Sequence, residues 1–90
     1  MEFKQLEMLV AVADERSVMR AAERVFRSQP AVSMALAKLE QEVGSRLFHR
    51  SHGQALRLTA AGELLCQYAK RMLALREEAS VVVTSKVAAC

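Results

Sequence analysis

The sequence predicts a mostly α-helical domain: three short helices, a small β-hairpin and one long closing helix. Three observations carry that expectation. Amphipathic segments follow one another from Phe3 to Val43 with serines at their joints, Leu56 and Leu58 alternate with Arg57 and Thr59 beside a glycine-bearing turn, and an apolar repeat runs on from Ala60. Ninety residues, 52% hydrophobic and 26% charged, suit one small domain and exclude a second full one as well as disordered or collagen-like chains.

The first helix is read from Phe3, Leu6, Leu9, Val10 and Ala13, which share the three-and-four spacing of one helical face until Asp14-Glu15-Arg16 interrupts it. Ser17 then offers an N-cap side chain, and Val18, Ala21, Ala22 and Val25 form a second stripe ending near Phe26-Arg27. Ser28 is a cap of the same kind. Pro30 in the following first turn removes no helical hydrogen bond, and Val32, Leu36, Leu39 and Val43 lie on one face up to a stop at Gly44.

The opposite face of this third helix holds Pro30, Ser33, Met34, Ala37, Lys38 and Gln41, which is small and polar rather than charged or greasy. Short side chains allow close backbone approach, and Gln29, Ser33 and Lys38 supply the hydrogen-bonding groups that base edges and phosphates require. Two short helices with a tight turn, the second bearing such a face, make a helix-turn-helix, and the hairpin after Gly44 makes it winged. Its turn, Ser51 to Gln54, contains His52 and lies between Arg50 and Arg57, and these three are placed to meet phosphates or an adjoining minor groove. From Arg16 to Arg57 eight Arg and Lys stand against three Glu, an excess of five positive charges that favours a polyanion partner.

Thr59 is the next cap and opens the long helix. Leu65, Tyr68, Met72, Leu75, Ala79 and Val82 repeat alternately at three and four residues, a heptad seam, while Gly62, Cys66, Ala69 and Leu73 form a second row. One row packs on the chain's own helices and the other is left for a second copy, so a homodimer is expected. The chain divides into a winged helix-turn-helix at residues 1–59, a linker and dimerisation helix at 60–84, and an unassigned tail at 85–90 that is a frayed helix end or the start of a continuing chain.

No segment is long and apolar enough for a membrane span, and Met1 to Gln5 lack the pattern of a secretory signal, so a soluble cytoplasmic protein without membrane partners is expected. Cys66 and Cys90 show no disulfide framework, and His49, His52 and Cys66 lack the paired spacing of a metal site. Neither cofactor nor metal is expected. Both histidines lie in the hairpin without a nearby acid, so no catalytic constellation is formed and an enzyme is not expected; the rival to DNA binding is a helical module docking an acidic protein.

The strings Phe3-x-x-Leu6-x-x-Leu9-x-Ala11-Val12-Ala13, Ser17-x-x-x-Ala21-Ala22-Glu23-Arg24, Ser28-Gln29-Pro30-Ala31-Val32-Ser33, Leu39-Glu40, Gly44-x-x-Leu47-Phe48-x-Arg50 and Leu58-Thr59-x-Ala61-Gly62 together resemble the amino-terminal domain of LysR-type transcriptional regulators. The resemblance spans Met1 to about Leu75. It implies a domain that binds promoter DNA as a dimer, joined to a larger carboxy-terminal domain that senses a small-molecule effector; that domain is not among these residues, which are a fragment or a natural short form. It further implies base-edge or phosphate contacts from Gln29 and Ser33, thymine-methyl contacts from Pro30 and Ala31, a phosphate anchor at Arg50, and a helix cap at Thr59 with its hydroxyl near the duplex backbone. Ser28 belongs to this set mainly as a cap. Met34 stands where the family often has arginine, so apolar contact replaces a guanine contact there, and Lys38 one turn on offers a charge to phosphate.

Overall fold

A computed structural model describes residues 1–49 and 56–89, which form helices α1 (Phe3–Glu15), α2 (Val18–Val25), α3 (Gln29–Val43) and α4 (Ala60–Ala89). α1 is the central helix and packs against the other three. It buries Leu6, Met8, Leu9, Ala11 and Val12, a wider arc than the sequence stripe predicts, and Phe3 of that stripe stays half-exposed at its edge.

The joints are set by local chemistry. Ser17 caps α2 by accepting from the Arg20 N–H at 3.2 Å, and Ser28 caps α3 by accepting from the Ala31 N–H at 3.2 Å. Arg16, Phe26 and Gly44 end the three helices in the left-handed conformation. The core then closes around Leu6, Leu9, Val12, Val32, Leu39 and Leu47.

The expected hairpin is not a pair of strands among the described residues. Its two flanks meet through one antiparallel bridge, Phe48 to Leu58, with the His49 N–H donating to the Arg57 carbonyl at 2.9 Å and the Thr59 N–H to the Leu47 carbonyl at 2.9 Å. Burial of Leu47 and Phe48, and the Leu47 N–H donating to Glu40 Oε2 at 2.8 Å, hold this segment to the core. Residues 50–55, which include Arg50 and His52 and the turn, lie outside the described residues.

α4 is a rod of about 45 Å at 1.5 Å per residue, and it gives the molecule its longest extent, 56 Å against 25 and 18 Å. Gly62, Cys66 and Ala69 are buried and Leu73 half-buried where α4 crosses α1, and Arg76 ties the crossing by reaching Glu7 at 2.8 Å. Residues 77–87 are all exposed, and the helix continues past residue 84 through the stretch the sequence leaves unassigned. Among the described residues no helix is long and apolar enough to cross a membrane.

Candidate nucleic-acid interface

α3 is held by its apolar side. Val32, Leu36 and Leu39 are buried while Gln29, Pro30, Ser33, Met34, Ala37, Lys38 and Gln41 are exposed, so no part of the described chain covers the small polar face. Ala31 is half-buried, and Ser28, though exposed, already spends its hydroxyl oxygen on the α3 cap. Met34, a large apolar side chain on this face, is 60% exposed and so is not part of the core.

The charges divide by side. Asp14 and Glu15 take Arg24 at 3.0 and 3.4 Å, Asp14 also faces Lys70 at 3.9 Å, Glu7 takes Arg76, and Glu42 takes the amino terminus at 2.8 Å. The hydrogen bond to Asp14, with both carboxylates beside it, raises the pKa of the Arg24 guanidinium. Arg20, Arg27, Lys38, Arg46 and Arg57 are exposed and form no ion pair with any described residue. Arg27 and Lys38 stand along one edge of the small polar face, where they line a groove with Met34, and neither is offset by an ion pair with a described residue.

Lys4 joins this set, which sequence reasoning missed because residue 4 lies outside the basic stretch. The fold brings the start of α1 beside α3, and Lys4, Arg27, Met34 and Lys38 line one groove of about 280 Å³ together with Glu2 and Gln5. Only the crossing of α1 and α3 could have revealed it.

Thr59 is tied down. Its hydroxyl donates to the Arg46 carbonyl at 2.6 Å and accepts from the Gly62 N–H at 3.0 Å. A phosphate oxygen only accepts, so the hydroxyl in this state has no proton left for the duplex backbone; its observed work is to cap α4 and fasten Arg46 to it. Gly62 belongs to the same joint, since a Cβ there would collide with the Leu47 carbonyl.

On α4 the two rows separate. In the second row Gly62 lies against Leu47 while Cys66, Ala69 and Leu73 are turned to α1, and burial pushes the Cys66 thiol pKa up. Of the heptad seam, Tyr68, Leu75, Ala79 and Val82 are exposed and Leu65 and Met72 half-buried. Among the described residues no group of three metal-ligating side chains forms.

A helix-turn-helix whose second helix keeps an exposed small polar face with cations along one edge, followed by a long projecting helix, defines the class of this domain. Residues 3–63 match the family model of the bacterial regulatory helix-turn-helix proteins of the LysR family, and the chain belongs to that family. It is 46% identical over 74 residues to a probable RuBisCO transcriptional regulator of Cyanidioschyzon merolae, covering 82% of this chain and 24% of the relative. To the transcriptional regulator ClcR of Pseudomonas putida it is 42% identical over 77 residues, 86% of this chain and 26% of that one. The chain thus spans about a quarter of the length of these relatives, which are transcriptional regulators rather than enzymes. Among solved structures it resembles the BenM DNA-binding domain in complex with catB site 1 DNA (TM-score 0.89, 31% identity, 100% of this chain and 99% of that one). It also resembles the CbnR DNA-binding domain in its DNA complex (TM-score 0.88, 37% identity, 100% of both chains).

Proposed function

We propose that this chain binds double-stranded DNA with sequence preference, as a homodimer, and so regulates transcription. The observation that carries the reading is the uncovered face of α3 with Lys4, Arg27 and Lys38 along one edge; the likeness over the whole chain to domains solved on DNA supports it.

α3 enters the major groove. Gln29 and Ser33 address base edges, Pro30 and Ala31 lie against thymine methyls, and Met34 adds apolar contact where an arginine would select guanine. Lys38, Arg27 and Lys4 neutralise phosphates along the flank, while Arg50, His52 and Arg57 carry a wing onto the backbone or minor groove. Thr59 acts indirectly, by holding Arg46 against α4. The seam Leu65, Tyr68, Met72, Leu75, Ala79 and Val82 closes the dimer, whose two-fold symmetry presents two copies of α3 to paired half-sites. A small-molecule effector acts through a further domain outside these residues.

The test is DNA affinity as a function of salt for the parent chain and for Gln29→Ala and Ser33→Ala. Each neutralised phosphate contributes about −0.9 to the slope of log affinity against log salt, so a steep negative slope is expected, with weaker or retargeted binding in both variants. A flat slope, or variants that bind every duplex as the parent does, contradicts the reading and favours docking to an acidic protein.

A further inference from the structure

We infer that Met34 reads the 5-methyl group of a pyrimidine, so that affinity at one position of each half-site depends on a methyl carried by thymine or by 5-methylcytosine. This rests on the reading of α3 as the helix that enters the major groove. It deepens that reading by naming the chemical group one residue selects, and with it a DNA modification, cytosine methylation, to which the chain responds.

Val32, Leu36, Leu39 and Val43 pack into the core, and at about 100° per residue they lie about 140–200° around α3 from Met34. Met34 therefore stands at the crest of the outward face, opposite the side chains that hold α3 to the domain, and it is exposed there. Exposure alone carries no message, since single apolar side chains are common on protein surfaces. Position does. On a helix laid in a groove with its core side outward from the duplex, the crest residue reaches furthest towards the base edges.

The surroundings of Met34 keep this contact apolar. Its neighbours three and four residues away are Pro30, Ala31, Ala37 and Lys38, and the first three have no polar side-chain atom. Towards α1, Met34 shares a groove of about 280 Å³ with Lys4, Arg27 and Lys38. Those cations stand to one side of the crest, where a sugar-phosphate rail runs beside a helix in the groove, and they suit phosphates. The crest itself is left to the methionine.

Chemistry then decides what Met34 selects. A thioether has no proton to donate and its sulfur accepts only weakly, so it forms no discriminating hydrogen bond with a base edge. The one apolar group that the four base pairs present in the major groove is the methyl of thymine. 5-Methylcytosine carries a methyl at the same ring position, and a contact made of dispersion and desolvation alone gains from it in the same way. The flexible, polarisable methionine side chain can close on that methyl without an exact approach angle. Arginine at this position would select guanine through two hydrogen bonds and would gain nothing comparable from a methyl.

The experiment measures by fluorescence anisotropy the affinity of the full 90-residue chain, of Met34→Ala and of Met34→Arg for a duplex enriched from a random pool. At each thymine in turn the base is changed to uracil, which removes the methyl alone. In a second series it is changed to cytosine and to 5-methylcytosine, which differ by the methyl alone. At one position per half-site the parent is expected to lose about fourfold from thymine to uracil and to gain about fourfold from cytosine to 5-methylcytosine, the effect of burying one methyl. In Met34→Ala both effects vanish at that position while methyl effects at other positions persist, and in Met34→Arg a preference for guanine replaces them. Met34 is exposed, so both variants are expected to keep the parental circular dichroism. A parent indifferent to the methyl at every position, or a full set of methyl effects surviving in Met34→Ala, overturns the inference while DNA binding stands. A parent that enriches and binds no duplex overturns the reading of α3 and this inference together.

Discussion

Three residues, Gly62, Phe26 and Cys66, show how local environment sets the energetics of this domain. Gly62 lies where α4 runs under the Leu47 carbonyl, and a Cβ there meets backbone that cannot turn away. Gly62→Ala should therefore destabilise by about 1–3 kcal/mol, the usual range for overpacking a close-packed site, measured by thermal or urea unfolding. Phe26 is the reverse case. It ends α2 at φ 57° with its ring 92% exposed, so it bears the strain of a left-handed non-glycine residue and gains no packing in return. Phe26→Gly is expected to stabilise by about 1 kcal/mol, or about 4–8 °C in the melting temperature of a domain this small. Cys66 is buried against α1, and the desolvation that raises its thiol pKa keeps it protonated at neutral and mildly alkaline pH. In a Cys90→Ser background, alkylation of Cys66 at pH 8 should be slow in the folded chain and rapid in denaturant. Because the folded pKa is the higher one, the thiol's contribution to stability is complete below its unfolded pKa and declines as pH rises through and above it.

At the scale of the elements, what the sequence made legible was whatever has a local cause. Ser17 and Ser28 accept from the backbone of the first turns as cap residues do, and Ser28→Ala should remove about 1 kcal/mol of stability and loosen the start of α3. The two faces of α3 and the two rows of α4 could be read because their periods are short and their chemistry contrasts. Other features depended on distance. Met8 and Val12 complete the buried arc of α1 only because three helices surround it, and Lys4 reaches the α3 groove only through that crossing. The alternation Leu56-Arg57-Leu58-Thr59 suggests a strand, and among the described residues its contact is one bridge from Leu58 to Phe48, while Leu47, Phe48 and the Glu40 carboxylate anchor the segment to the core. The β-branched run from Val81 argued against a confident helix at the end of α4, and local propensity was overridden there. Thr59 was visible as a cap, but its donation to the Arg46 carbonyl joins residues thirteen apart and has no sequence signature.

Over the whole molecule, ion pairs tie α1 to α2 and α4, while Lys4, Arg27 and Lys38 along the α3 groove form no ion pair with a described residue. Such a surface attracts a polyanion, and in the dimer we propose the exposed part of the α4 seam doubles it by two-fold symmetry. Truncation after Ala79 should weaken self-association and, through lost avidity, DNA affinity, while the helical signal of residues 1–73 persists; paired sedimentation and anisotropy measurements check both. The most direct test of the central claim is selection of bound sequences from a random duplex pool by the purified chain. Enrichment of a two-fold symmetric motif that degrades in Gln29→Ala is the predicted result. A pool that emerges unenriched, or a motif unchanged by that substitution, would contradict the reading of α3 as the element that reads DNA.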